Sequence, residues 1–308
     1  MSIKLIQKLQ KEIFDLTGGY IATWLPDFSP YIGDYGTIAR GRLLADGNLE
    51  ELEYIDINHY VGVSSMESFK YSHDVTISAE AGAEHLGAGF NVLFNSEGAF
   101  LYHFQNANIH RVENKGVFFQ ELAYKIMTGE IPWDDSYVIV DEVVVAERST
   151  ILISRSSGGS MSIASGTQSD AQVNFADASL NLAFKRSKGT IFDYAGHTDT
   201  RPLYHAVKPT IKPRGSVGAP SGPRPKAPTL SRLYENAKKL VGGRDIQPTE
   251  VEIKVLEEDV VEVALQVRGR VARFWISFDT VTPEIALADD VSEAEDIIKA
   301  EEFLVFEF

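Results

Sequence analysis

The fold class follows from residues 137–154, YVIVDEVVVAERSTILIS. β-branched residues fill much of this run, and such residues favour strands. The run covers 18 residues, whereas an average strand has roughly 5 to 6. Acidic residues interrupt it at Asp141, Glu142 and Glu147. It therefore predicts unusually long β structure near the middle of the chain.

Alternating apolar and polar residues on both sides of this run predict two long hairpins. The first spans 69–104, around a Gly/Ala-rich segment, and 91–104 within it is typical of two strands joined by a turn that ends in Gly. The second spans 149–194. In that hairpin the long run and the alternating run at 172–185 flank a Ser/Gly-rich polar tip at 155–170.

The remaining elements follow from the spacing of apolar residues. Helical spacing predicts helices at 2–16, 117–128, 230–241 and 292–300. Strand patterns predict further strands at 35–44, 54–63, 203–207, 250–256, 260–267, 271–278 and 303–308. The expected fold class is α+β: a twisted, mostly antiparallel sheet with long hairpins and flanking helices, plus a small α+β C-terminal domain.

A stretch rich in proline, glycine and basic residues, KPTIKPRGSVGAPSGPRPKAP at 208–228, divides the chain. This composition neither packs a core nor holds a helix, so it predicts an extended, protease-accessible linker. Residues 207–245 carry nine Lys/Arg against two acids, net +7, and residues 251–308 carry five against fifteen, net −10. We therefore expect a β-rich domain at 1–207 and an acidic domain at 229–308 that the linker attracts.

The composition also excludes classes of function. The net charge is −15, and residues 1–206 hold 15 Lys/Arg against 26 Asp/Glu, so the broad basic face that nucleic-acid binding needs is missing. The absence of Cys excludes disulfides, cysteine zinc ligands and thiol nucleophiles. No stretch approaches the ~20 apolar residues of a membrane helix, and the N-terminus has no secretory signal. A cytoplasmic bacterial protein is the expectation.

The polar residues offer little for catalysis. The seven histidines lack the spacing of a zinc-protease helix, and none lies in a nucleophile motif. Asp134 and Asp135 are adjacent carboxylates after a proline, which more often form a solvated turn than an acid–base pair. His197, Asp199 and Arg201 form the densest polar cluster, in a loop bounded by Gly and Pro. We expect no enzyme activity, cofactor or metal.

The order of elements brings a resemblance to a known family. The chain runs through an amphipathic N-terminal helix, a first hairpin, the helix GVFFQELAYKIMTGE, the strands WDDSYVIVDEVVVAERSTILISRSSG, the strand pair QVNFADASLNLAF and a closing PLYHAVKP. This order resembles the pore-forming domain of gasdermins over 1–207. The linker and the acidic tail then stand where gasdermins have their linker and autoinhibitory part.

The resemblance implies an autoinhibited pore-former that causes cell death, as in antiphage defence. An activating protease would cut the linker, where Arg214, Arg224 and Lys226 are the candidate sites. The released N-terminal domain would then leave the intramolecular C-terminal domain, form a homo-oligomer and insert its hairpins into membrane lipid at the inner face of the membrane.

The N-terminal helix has two interpretations. Its apolar positions are those of a helix packed on a sheet, which is the ordinary arrangement. By the resemblance, Ile3, Ile6 and Leu9 would instead contact the membrane or the autoinhibitory part. Two features depart from the family: the acidic N-terminal part lacks an evident basic surface, and it lacks the N-terminal cysteine that bacterial members acylate.

Two further functions stay open. The first is a non-enzymatic binding or assembly protein with two interaction domains, which fits the absence of a catalytic constellation. The second is a hydrolase that uses Asp134 and Asp135, or the cluster of His197, Asp199 and Arg201.

Overall fold

The structure is a computed structural model. It describes residues 3–23, 30–39, 42–80, 89–154, 157–164, 183–188, 191–212, 230–267, 269–282 and 305–307. Within these residues the chain is an α+β fold built mostly of antiparallel sheet, which confirms the expected fold class.

The described elements are as follows. The helices are α1 (Ile3–Thr17), α2 (Lys115–Thr128) and α3 (Leu230–Leu240), with short 3-10 turns at Ile57–His59 and Pro248–Glu250. The strands are β1 (Ile21–Ala22), β2 (Asp34–Ala39), β3 (Arg42–Asn48), β4 (Val61–His73), β5 (Val75–Glu80), β6 (Gly89–Phe94), β7 (Phe100–Val112), β8 (Val138–Ser154), β9 (Gly159–Ala164), β10 (Ala183–Lys188), β11 (Ile191–Lys212), β12 (Val251–Glu257), β13 (Val260–Val267), β14 (Arg270–Thr280) and β15 (Val305–Glu307).

The described strands form two sheets. The larger, of 11 strands, follows the order β12-β13-β14-β11-β8-β2-β3, with β7 joined to both β4 and β8. The smaller, of four strands, follows the order β10-β9-β6-β5. The pairs whose register is known are antiparallel, both between successive strands and between strands far apart in the sequence.

Residue contacts divide the chain into two compact units that do not follow the order of the sequence. We call Met1–Pro30, Val63–His110 and Glu142–Tyr204 the hairpin unit. We call Tyr31–Gly62, Arg111–Asp141 and His205–Phe308 the mixed unit. The sequence suggested a boundary between 1–207 and 229–308, whereas the mixed unit joins C-terminal residues to two earlier segments.

The mixed unit has a core built around α2. Phe118, Phe119 and Leu122 on one face of this helix are fully buried, and the Phe119 ring stacks on Phe278 of β14 with centroids 4.0 Å apart. The Gln120 side chain donates a 2.6 Å hydrogen bond to the backbone oxygen of Ile253 in β12. The helix is therefore held to the C-terminal strands by both apolar burial and a backbone hydrogen bond.

Helix α3 belongs to the same core. Leu233 and Ala237 on its inner face are fully buried. Asp135 caps the helix from a distant loop: its carboxylate accepts hydrogen bonds from the Ser231 backbone nitrogen at 3.0 Å and from the Ser231 hydroxyl at 2.5 Å. A side chain at Gly129 would come within 2.7 Å of the Tyr234 hydroxyl, which explains the glycine at the end of α2.

The hairpin unit has a separate core under α1. Leu9 and Ile13 are buried among aromatic residues of β7, chiefly Phe100, Tyr102 and Phe104. The Tyr102 hydroxyl also donates to the Thr23 backbone oxygen at 2.9 Å, which ties β7 to the segment after β1. At Leu9 the ordinary interpretation of the N-terminal helix therefore holds: the apolar side chain packs on the sheet.

The helices predicted at 2–16, 117–128 and 230–241 are confirmed, and the central run forms the single 17-residue strand β8. Three predictions were wrong. Segment 91–104 is no hairpin, because β6 and β7 join different sheets. Segment 155–170 holds strand β9 where a polar tip was expected. In the segment 54–63, where a strand was expected, Ile57–His59 form a 3-10 turn and strand β4 begins only at Val61.

The linker prediction also needs correction at its start. Residues 208–212 are the end of β11 and pair with β14, from Lys208 opposite Asp279 to Lys212 opposite Trp275. Ile211 is buried, and the Thr210 hydroxyl bonds the Asp279 carboxylate at 2.5 Å, so side-chain burial and pairing outweigh the proline at 209. The rest of the linker and the helix predicted at 292–300 lie outside the described residues.

Candidate functional site: two amphipathic hairpins

Two long antiparallel hairpins dominate the hairpin unit. In the first, β4 pairs with β7 and β5 with β6; in the second, β8 neighbours β11 and β9 pairs with β10. The outer parts of both hairpins meet between β6 and β9 and form the four-stranded sheet. We call β5, β6, β9 and β10 the distal sheet.

Cross-strand register sorts the distal sheet into alternating rows. Three rows carry mainly apolar residues: Val75–Phe94–Gly159, Ile77–Val92–Met161–Ser187 and Ala79–Phe90–Ile163–Phe184. The rows between them are mainly polar: Thr76–Leu93–Ser160–Lys188 and Ser78–Asn91–Ser162–Arg186. Because successive residues of a strand point to opposite faces, these rows predict one apolar and one polar face.

The side-chain exposures at the base of the distal sheet agree with the rows. Val92 and Phe94 are fully buried, whereas Leu93 between them is 43% exposed. On β5, Ile77 is half-buried and Thr76 is exposed. The alternation thus holds in the folded protein for the described side chains of β5 and β6.

A break separates the distal sheet from the rest of the first hairpin. Asp74, between β4 and β5, has φ +53°, a left-handed value that ends regular pairing. Its backbone oxygen accepts from the Asn95 nitrogen at 2.9 Å, and its carboxylate accepts from the Ser96 hydroxyl at 2.7 Å. Both strands of the first hairpin therefore change sheet at the same level.

Polar contacts connect α1 to the first hairpin beside this break. Lys8 Nζ lies 2.9 Å from His73 Nε2, and Glu12 Oε2 lies 3.4 Å from His73 Nδ1. The Tyr71 hydroxyl donates to the same Glu12 carboxylate at 3.3 Å, and the His73 ring stacks on Phe100. The helix is thereby fixed to β4 by charged groups as well as by its apolar face.

The mixed unit contains a buried charge network centred on Asp141 of β8. The Asp141 side chain is fully buried, with Lys115 Nζ 2.9 Å from one oxygen and His205 Nδ1 2.6 Å from the other. His205 Nε2 in turn lies 3.2 Å from the Thr280 hydroxyl. The network joins the start of α2 to β8, β11 and β14.

The electrostatics of this network follow from its partners. Burial by itself raises the pKa of Asp141, but the hydrogen bond from His205 and the charge of Lys115 outweigh it and lower that pKa. Carboxylate and imidazole are metal-ligand types, yet the ammonium of Lys115 already neutralises this carboxylate. We therefore regard the cluster as an ion network that holds the fold.

The acidic pair considered for catalysis is separated by its contacts. Asp134 accepts hydrogen bonds from the Ser136 hydroxyl and, at 2.8 Å, from the Ser136 nitrogen, and these two bonds lower the pKa of Asp134. Asp135 instead caps α3 through Ser231. Each carboxylate thus has a local structural role, and the structure does not bring the two together as an acid–base pair.

The other polar candidates lie in the hairpin unit. Asp199 is exposed, and Arg201 Nη1 donates to its backbone oxygen at 3.5 Å, while the side chain of His197 lies outside the described residues. His103, by contrast, is 1% exposed, and burial together with Lys70 lowers its pKa to about 4. His103 is therefore neutral near pH 7.

Several site residues that the sequence predicted lie outside the part of the chain that the structure describes. Among the helix residues Ile3, Ile6 and Leu9, only Leu9 has a described side chain. The linker residues Arg214, Arg224 and Lys226 also lie outside the described residues. Sequence reasoning missed the Asp141 network, although an acid inside a β-branched run was a signal that a buried partner exists.

The chain was compared with protein-family models and with curated protein sequences. Neither a protein-family model nor a curated protein sequence matches the chain. Among the helices of the described residues, none combines the length and the apolar character needed to cross a bilayer.

Proposed function

We propose that this protein is an autoinhibited, gasdermin-like pore-former whose two hairpins insert into a membrane after proteolysis of the linker. The observation that carries the proposal is the alternation of mainly apolar and mainly polar rows across the distal sheet, which is clearest in β5, β6 and β9. A strand that spans lipid needs one face toward hydrocarbon and the other toward water. The resemblance in element order supports the same function.

Oligomer formation is supported by the edges of the distal sheet. Among the described strands, β5 and β10 each have one neighbour in that sheet. Because four antiparallel strands alternate in direction, β10 of one copy and β5 of the next would also run antiparallel. Open edges of this kind are templates for pairing with another chain. Copies of the protein would therefore extend one continuous sheet.

Lipid contact is supported by the composition of β10. Its sequence, AFKRSK, has three basic residues and no acid, in a chain whose net charge is −15. Lys and Arg near an anionic membrane surface are each worth about 1 kcal/mol. This strand is the part of the distal sheet that we expect to prefer anionic lipid.

The trigger is a cut within 213–229, followed by separation of the C-terminal residues. Six residue pairs between β11 and β14, and the stack of Phe119 on Phe278, hold those residues in the mixed unit. A cut alone therefore leaves the two pieces associated. In this proposal the membrane supplies the competing interaction that completes the release.

A dye-release experiment tests the function. A protease site is placed between residues 215 and 223, and leakage from anionic and neutral liposomes is followed before and after the cut. Cleaved wild type is expected to leak dye and intact protein is not. Ile77→Asp lies in an apolar row and should slow leakage about tenfold or more, whereas Ser78→Asp, in the next polar row, should leave most of it.

Circular dichroism of both variants shows whether they are folded before the cut. If no cleaved form releases dye from either lipid, the pore-forming function is refuted, and a non-enzymatic binding or assembly protein becomes the better proposal. Equal leakage by Ile77→Asp and Ser78→Asp would remove the hairpins as the inserting element.

A further inference from the structure

Two residues in the middle of long strands have a backbone conformation that regular strands do not use. Asn106 in β7 has φ +47°, and Asp199 in β11 has φ +50°. Residues of a regular antiparallel strand have φ of about −140°. A left-handed φ costs energy for any residue with a side chain. Both strands continue beyond these residues, so each is locally bulged.

The two irregular residues lie at one level, on either side of β8. Asn106 Nδ2 donates to Glu147 Oε2 at 2.8 Å. Thr200, the residue after Asp199, donates from its hydroxyl to the Ala146 backbone oxygen at 3.1 Å. Ala146 and Glu147 are consecutive in β8, which neighbours both β7 and β11. The two irregular segments are therefore hydrogen-bonded to consecutive residues of the strand between them.

Packing does not explain why these positions carry Asn and Asp. Both side chains are exposed, so neither fills a core position. What the two residues share is their tolerance of left-handed values, which is greater than that of other residues with side chains. Asn108, also exposed and two residues further along β7, has no positive φ. It offers a matched position on the same strand.

We infer that Asn106 and Asp199 form a bend line across β7, β8 and β11, and that this line flattens when the hairpins extend. The inference rests on the proposed pore-forming function. β7 and β11 continue the two hairpins beyond the distal sheet, and when they extend as regular strands a residue at positive φ has to return to the β region. Asn and Asp accept both conformations. The bend line therefore determines how readily the hairpins change from the bent to the extended form.

Three variants separate the backbone effect from other causes. Asn106→Val with Asp199→Val disfavours the left-handed conformation and favours a straight strand. Asn106→Gly with Asp199→Gly keeps the left-handed conformation accessible. Asn108→Val places the same residue at a regular exposed position. All three are made in the full chain that carries the protease site, and melting temperature and liposome leakage are measured for each.

The double Val variant is expected to melt about 5–10 °C below Asn108→Val, because two residues are strained in the bent form. After the cut its leakage should begin at least about threefold earlier than that of wild type, because flattening now relieves strain. The double Gly variant should keep the melting temperature within about 3 °C and show no shorter lag.

Two results overturn the bend line while leaving the pore-forming function intact. One is a double Val variant that matches Asn108→Val in both melting temperature and lag. The other is a double Val variant that melts lower but leaks more slowly than wild type. If cleaved wild type releases no dye at all, the pore-forming function fails, and the flattening step fails with it.

Discussion

The core of the mixed unit and the distal sheet of the hairpin unit differ in how many of their described apolar side chains are buried. In the mixed unit two helices and the C-terminal strands share one core, with Phe119 and Phe278 in ring contact. In the distal sheet of the hairpin unit, alternate residues such as Thr76 and Leu93 remain exposed. Removing a side chain should therefore cost more in the core of the mixed unit than at an exposed position of the distal sheet.

The largest effect is expected where burial is deepest. Phe278→Ala removes one ring of the parallel stack on Phe119 and should lower the free energy of unfolding by about 3–5 kcal/mol. Leu93→Ala in the distal sheet removes a side chain that is 43% exposed and should cost about 1 kcal/mol or less. Denaturant unfolding of both variants measures the difference.

Phe278→Ala also shows whether apolar burial or charge holds the two pieces of the cleaved protein together. We expect the nicked wild type to sediment as one species at moderate and high salt, because apolar burial holds the C-terminal piece. Arg224→Gln with Lys226→Gln should leave that species intact, since each exposed pair contributes at most about 1 kcal/mol. Phe278→Ala should promote separation. Pieces that separate fully with salt alone would show that charge holds them.

The next effect concerns the buried network. Asp141→Asn removes the charge that pairs Lys115 and His205 in the mixed unit, and should destabilise the protein by about 3 kcal/mol at pH 7. Glu147→Gln, which changes one acid on the same strand in the hairpin unit, serves as the control and should cost under about 1 kcal/mol. Equal losses in denaturant unfolding would contradict a special role for the network.

A smaller effect depends on pH and belongs to the hairpin unit. His103 has its pKa lowered to about 4 by burial and by Lys70, against 6.5 when unfolded. As the pH falls through 6.5, the His103 imidazole is protonated in the unfolded chain but stays neutral in the folded protein. Proton binding therefore favours the unfolded chain, and the free energy of unfolding falls. The loss between pH 7.5 and pH 5 should be roughly 2 kcal/mol from this group.

The His103→Gln variant identifies the source of that loss. It should be less stable than wild type at pH 7.5 but should lose less stability on going to pH 5. Asp141 does not add to this loss. Because its pKa is lowered in the folded protein, the stability that its carboxylate contributes is lost only when the pH falls to the unfolded value of 3.8 and below. An unchanged acid loss in His103→Gln would assign the effect to other groups.

The sequence predicted local elements better than their partners. Helical spacing placed the ends of α2 and α3 within two residues of their observed positions. The reason is that the spacing of apolar residues along one helix depends only on which face of that helix is buried. The pairing of β6 with β9, rather than with β7, depends on residues far apart in sequence, and alternation alone does not encode a partner. The positive φ at Asn106 was equally hidden, whereas the Gly and Pro around residues 197–201 indicated a loop where the structure has strand β11 with one irregular residue, Asp199.

The most direct test of hairpin insertion uses the absence of cysteine in this chain. Single cysteines at positions 75, 76, 77 and 78 of the cleavable protein are labelled with a dye that brightens in apolar surroundings. After the cut, in the presence of liposomes, the labels at Val75 and Ile77 should brighten and be quenched by a lipid-borne quencher. Those at Thr76 and Ser78 should stay dim. Four labels that respond alike, or that do not respond to lipid, would contradict insertion of this hairpin.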